Sequence, residues 1–221
     1  MPQALGLLIL SFALTAFLIV PFIDFLYKLK FRRQKQKTLD AFAKSTPIFD
    51  KLHGWKAGTP IGGGILVIGV TTLLTLWSFG FLSLAVNPWE VLALIFTFLS
   101  FGLLGLSDDV KKIFKSQNSN FFGLRLRHKL FLQIILALII GATLYFKLGY
   151  DFINVRWFGA LQIGILFIPL SAFVIVAFAN AFNITDGLDG LASGLLMICL
   201  FSFWFLAATL LDPTLSIFIA V

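Results

Sequence analysis

The chain has 221 residues, 59% of them hydrophobic and only 12% charged, with 27 Phe. A mean hydropathy of +0.99 excludes an ordinary soluble domain and points to a polytopic membrane protein. The net charge of +7 does not imply a nucleic-acid partner, because the basic residues are confined to segments between apolar runs. The lone cysteine, Cys199, excludes a disulfide framework and a cysteine zinc site, and inside its apolar run it reads as a small buried hydrophobe.

In chain order the apolar runs are 4–23, 65–86, 91–107, 130–146, 157–179 and 191–211, and none contains Asp, Glu, Lys or Arg. Each approaches the roughly 20 residues that a helix needs to cross hydrocarbon. A seventh run opens at Pro213. The expected fold is therefore all-α, a single integral membrane domain over 1–221 with six full transmembrane helices and the start of a seventh. Pro21 and Pro169 fall inside runs and are read as tolerated kinks. The first run is not a signal peptide, since no basic stretch precedes it and "DFLYKLKFRRQKQK" follows it.

Lys and Arg set the expected orientation. Nine of the 17 lie in residues 28–60 and six in 108–129, leaving only Lys147 and Arg156. Both rich segments fall on one side by helix parity, so that side is expected to be cytoplasmic and the N-terminus outside. Parity then brings three polar stretches to the same face: "HGWKAGTPIGGG" (53–64), "LGLSDDVKK" (104–112) and "NAFNITDGLDG" (180–190).

Each stretch has a plain reading beside a chemical one. Asp108 and Asp109 are either solvated acids neutralised by Lys111 and Lys112, or a general base and cation site whose mutual repulsion raises one proton affinity. Asp186 and Asp189, each followed by glycine, either cap a helix-to-helix turn or offer hard oxygens to a cation such as Mg²⁺, which usually also binds substrate phosphates. The glycines after Lys56 are a flexible entry to a helix, or a turn whose free N–H groups and positive potential suit phosphate. They are no Walker A motif, because no Lys-Ser/Thr pair follows them. His53 reads as a polar loop residue and His128 as interfacial.

Taken in order, "KAGTPIGGG", "GLSDDVKK", "GLRLRHKLFLQ" and "NAFNITDGLDGLASG" resemble the polyprenyl-phosphate N-acetylhexosamine-1-phosphate transferase superfamily, over roughly residues 50–200. Within it they are most similar to the phospho-N-acetylmuramoyl-pentapeptide transferase branch, on the strength of the Lys-x-Gly-Thr-Pro element. Ile61 and Gly62 depart from the Thr-Met pair common there. The resemblance implies a Mg²⁺-dependent transfer of phospho-MurNAc-pentapeptide from UDP to undecaprenyl phosphate. The products would be lipid I and UMP, made at the cytoplasmic face of a bacterial inner membrane. It makes Asp108 the candidate base, or a group acting on the lipid phosphate, with Asp109 beside it. It makes Asn183 a Mg²⁺ ligand. Lys56, Thr59, Lys112, Lys129, Asn180, Asp186 and Asp189 become substrate-binding candidates around the nucleotide and diphosphate. A homodimer is a further expectation.

The resemblance also implies about ten transmembrane helices and two later motifs, a Phe-x-Gly-Asp loop and a His-rich loop, which this sequence does not contain. The 221 residues alone are therefore expected to release no UMP. Small residues such as Gly141 and Gly194 are expected to face lipid without helix partners. The alternative functions are a related UDP-N-acetylhexosamine transferase and an inactive membrane protein with an assembly role. A transporter is disfavoured because the runs carry no ionisable residue at mid-membrane depth.

Overall fold

A computed structural model describes residues 2–32, 48, 58–81, 86–114, 126–186, 188–210 and 212–221. Its helices are α1 (Pro2–Lys28), α2 (Gly64–Phe81), α3 (Pro88–Phe114), α4 (Leu126–Leu148), α5 (Phe167–Thr185), α6 (Leu191–Thr209) and α7 (Pro213–Ala220). A hairpin of β1 (Phe152–Val155) and β2 (Gly159–Gln162) lies between α4 and α5. Among the described residues, six helices are long and apolar enough to cross a membrane, as the run lengths lead one to expect. Lys56 and His53 lie outside the described residues, as do the side chains of Lys111 and Lys112.

The fifth run is only partly helical. Residues 159–162 pair with 152–155, and a 3₁₀ turn (Gly164–Leu166) precedes α5. Glycine decides this. Gly159 at φ +75° closes the hairpin and Gly164 at φ +53° redirects the chain, both in the left-handed region that other residues avoid. The Asp151 carbonyl accepts from the N–H groups of Ile163 and Gly164, 2.9 Å each, and so ties off the hairpin. Pro169 consequently falls in the first turn of α5, where its missing N–H leaves no helix bond unmade, and not at a mid-span kink. α7 starts where Asp212 accepts from Leu215 N–H at 2.9 Å, with Pro213 in the first helical turn.

The helices pack in the order α5, α4, α3, α2, α1, α7, α6, and α5 touches α6 only slightly. Between 6% and 22% of each spanning window is buried inside the chain, so most of the lateral surface faces outward. Cys199 is on that outward surface, exposed, and is not the buried hydrophobe its run suggested, because α6 is apolar on every side. With little hydrophobic drive between helices in lipid, small residues govern close approach. A Cβ on Gly102 of α3 would stand 2.5 Å from Ile68 Cδ1 of α2. A Cβ on Gly141 of α4 would collide with Ser171 Oγ and come within 2.9 Å of the Ile168 carbonyl of α5. Gly141 is therefore an interhelical contact and not a lipid-facing gap, whereas Gly194 has nothing within 4 Å. Several hydroxyls in the spans fold back on their own helices: Ser78 Oγ donates to the Leu74 carbonyl at 2.6 Å and Thr97 Oγ1 to the Ala93 carbonyl at 2.7 Å.

Candidate functional site

Residues 58–64 lie beside the end of α1. Ile61 N–H donates to the Phe31 carbonyl at 3.0 Å and Arg32 bridges Pro60. This pins the glycine loop at the start of α2. Gly62 is buried at φ +98°, and a Cβ there would pack at 3.5 Å on Phe31 and 3.8 Å on Leu26. The α2 N-terminus is thereby held open toward its neighbours.

It opens into a cleft of about 340 Å³. Gly62 and Gly64 form one wall, Asp108 and Asp109 another, Lys129 a third, and Asn183 with Asp186 a fourth. Three stretches far apart in sequence thus meet at one end of the bundle, together with the start of α4. Asp108 and Asp109 are not loop acids. They lie in the last turns of α3, half-buried. Asp186 caps the C-terminus of α5, its N–H donating to the Phe182 carbonyl at 3.2 Å.

Alternating helix direction gives the cleft two poles. α2 and α4 enter it with their N-termini, where unpaired N–H groups and the macrodipole make positive potential. α3 and α5 enter it with their C-termini, which are negative, and each adds carboxylate there. The first turn of α4 contains no acid, only Arg127, His128 and Lys129. The last turn of α5 contains no base. At α4 and α5 the pole is thus not neutralised as in ordinary helices, whereas α2 brings no charge of its own and α3 carries Lys111 and Lys112 after its two acids. Such a cleft suits an anion and a cation held side by side.

The lining offers a hard divalent cation one or two carboxylates, from Asp108, Asp109 or Asp186, and the amide of Asn183, with ligand oxygens to complete its shell. Among the described residues no three His, Cys, Asp or Glu side chains gather closely enough to hold a metal by themselves.

Other expected site residues lie around the cleft. Thr59 and Asp189 are exposed on the two loops that border it, and Lys112 lies one turn beyond Asp108 on α3. Asn180 is one turn deeper on α5 and does not line the cleft. Its Nδ2 donates to Gln133 Oε1 and to the Val176 carbonyl, both at 2.8 Å. The sequence expectations assign Gln133 no role. The signal was available, since an amide in a run otherwise almost wholly apolar needs a reason to be there.

A second cleft, about 380 Å³, lies at the opposite end between α3, α4 and α7 and is mostly apolar. Glu90, Tyr150 and Asp212 are its ionisable lining. Partial burial, then Glu90 and Asp212, push the Tyr150 hydroxyl above its ordinary value of 10.0.

A family model described as "Glycosyl transferase family 4" matches residues 91–221. The chain is 34% identical over 201 residues to a phospho-N-acetylmuramoyl-pentapeptide-transferase of Caldanaerobacter subterraneus subsp. tengcongensis, covering 90% of this chain and 57% of that protein. It is 35% identical over 217 residues to the protein of that name from Limosilactobacillus reuteri, covering 96% and 61%. With the one from Rickettsia felis it shares 39% over 169 residues, covering 75% and 44%. The chain therefore spans between 44% and 61% of the length of these relatives.

Proposed function

The chain belongs to glycosyl transferase family 4, and from that premise we propose that it transfers phospho-MurNAc-pentapeptide from UDP to undecaprenyl phosphate. The site would face the cytoplasm of a multi-pass bacterial membrane protein whose N-terminus lies outside. The observation that carries the reading is the two-poled cleft lined by Asp108, Asp109, Lys129, Asn183 and Asp186. The names of the relatives and the crowding of Lys and Arg into 28–60 and 108–129 support substrate and orientation respectively.

In this reaction an oxygen of the lipid phosphate attacks the sugar-bearing phosphorus. A new P–O bond forms, the P–O bond to UMP breaks, and UMP leaves with the electron pair. Phosphoryl transfer of this kind is mostly positioning and charge neutralisation. Asp108 orients the lipid phosphate and takes its proton when it carries one, and Asp109 keeps that region acidic. Lys129 and the N–H groups at the start of α2 draw the diphosphate oxygens to the positive pole. Asn183, with the carboxylate of Asp186, would hold Mg²⁺ at the negative pole. Bound there, Mg²⁺ neutralises charge on the diphosphate. Lys56, Thr59, Lys112 and Asp189 lie on or beside the flanking loops and serve donor binding.

The test is UMP release in membranes that lack any other such transferase and contain this chain in a context supplying the remainder of its relatives' length. Mg²⁺-dependent turnover of UDP-MurNAc-pentapeptide with undecaprenyl phosphate is expected, lost in Asp108→Asn. Preference for UDP-GlcNAc would overturn the donor assignment, and full activity of Asp108→Asn would overturn the mechanism.

A further inference from the structure

Resting on the proposed reaction, we infer that Gln133 is a positioning residue: its hydrogen bond to Asn180 fixes the register of α4 against α5, and so of Lys129 against Asn183. Gln133 is 3% exposed in the interior of a spanning helix. Its Oε1 receives Asn180 Nδ2–H at 2.8 Å. The second Asn180 N–H goes to the Val176 carbonyl, also at 2.8 Å. A carbonyl can only accept, so Val176 fixes which end of the Asn180 amide points inward, and Gln133 must answer with its oxygen. The pair is therefore directional and keyed to one alignment.

Neither residue lines the cleft. Lys129 is four residues before Gln133 and Asn183 is three after Asn180, so each cleft residue shares a helix face with its half of the pair. The bond crosses between α4 and α5 one turn below the place where the positive and negative poles face each other. Elsewhere that interface is smooth, with Gly141 seated on Ser171 and Ile168. A small-residue seam permits close approach and leaves axial sliding open. A buried polar pair is the kind of contact that sets register.

The experiment uses the full protein in nanodiscs, in a Cys199→Ser background, with nitroxides at Arg127→Cys and Ile184→Cys, both exposed positions near the cleft. Gln133→Met removes the acceptor. Gln133→Asn keeps an amide but is too short to reach, and guards against misfolding of the first variant. In both, the spin–spin distance distribution is expected to shift or broaden by about 1.5 Å, one residue's rise. The kcat for UMP release should fall about 10–100-fold and the half-saturating Mg²⁺ concentration should rise, as with other outer-shell partners. The KM for undecaprenyl phosphate should hold. Gln133→Glu, which retains an acceptor oxygen, should keep the parental distances and most of the turnover. Parental distances and Mg²⁺ response in Gln133→Met or Gln133→Asn would overturn the proposal. A parent that releases no UMP refutes the proposed reaction instead, and the distances still judge the lock.

Discussion

Lys129 stands where the field of its own helix disfavours it, in a first turn that holds no acid. A cation there raises an already positive potential, and the arrangement is useful only when an anion arrives. Lys129→Met is thus expected to make α4 no less stable while lowering kcat/KM for the nucleotide donor by about 10²-fold, the cost of losing one preorganised charge. Thermal unfolding and initial rates read the two effects separately. Tyr150 gives a prediction unrelated to catalysis. Its proton is held more tightly in the folded chain than the free value of 10.0. The stability this confers is complete below about pH 10 and declines as pH rises through the folded-state value. Tyr150→Phe should flatten that alkaline decline in the unfolding midpoint. At this scale the sequence carried much of the cleft. Asp108, Asp109, Asn183 and Asp186 were conspicuous because hard oxygens are rare in so apolar a chain. Gln133 escaped because, although it closes the "GLRLRHKLFLQ" element, nothing in the linear sequence names its partner, and its meaning appears only with the helix it faces.

Between elements, glycine contacts sort into two kinds. Gly141 lies against the Ile168 backbone and Ser171, whereas Gly194 has open space. Gly141→Val should force α4 and α5 apart and cost about 1–3 kcal/mol, as overpacking does. Gly194→Ala should be neutral or gain up to about 1 kcal/mol from helix propensity. Chemical unfolding in mild detergent distinguishes them. Hydropathy located the spans because composition alone decides insertion. It mistook residues 157–166 for helix because the uncharged second half of a hairpin and an apolar helix look alike on that measure. Gly159 and Gly164 were the available clue, and Ile153–Leu161 pairing shows the alternative use of the same residues.

For the molecule as a whole, loop chemistry predicts orientation. With Cys199→Ser, an Asn118→Cys variant should resist an impermeant thiol reagent added outside intact cells. A Phe158→Cys variant, at a hairpin tip where Phe158 is 78% exposed, should be labelled. The reverse pattern would invert the proposed topology. Parity alone assembled the cleft end, since three stretches had to share a side. The lateral order of helices was not legible, because a helix apolar all round has no stripe to declare its neighbour. α1 beside α7 is the clearest case. Ser11 Oγ reaches the Ala220 carbonyl at 3.4 Å across 209 residues, and Ala4, Trp204 and Ala220 form a shared core. During synthesis, neighbours such as α4 and α5 can associate within seconds of leaving the ribosome, at about 5–20 residues per second. α1 can join α2 as quickly, but its face toward α7 stays bare to lipid while α2 to α6 are translated. Closure of α7 onto α1 therefore follows the pairing of sequence neighbours, and the interval before it is when a membrane chaperone or a wrong helix has its opportunity.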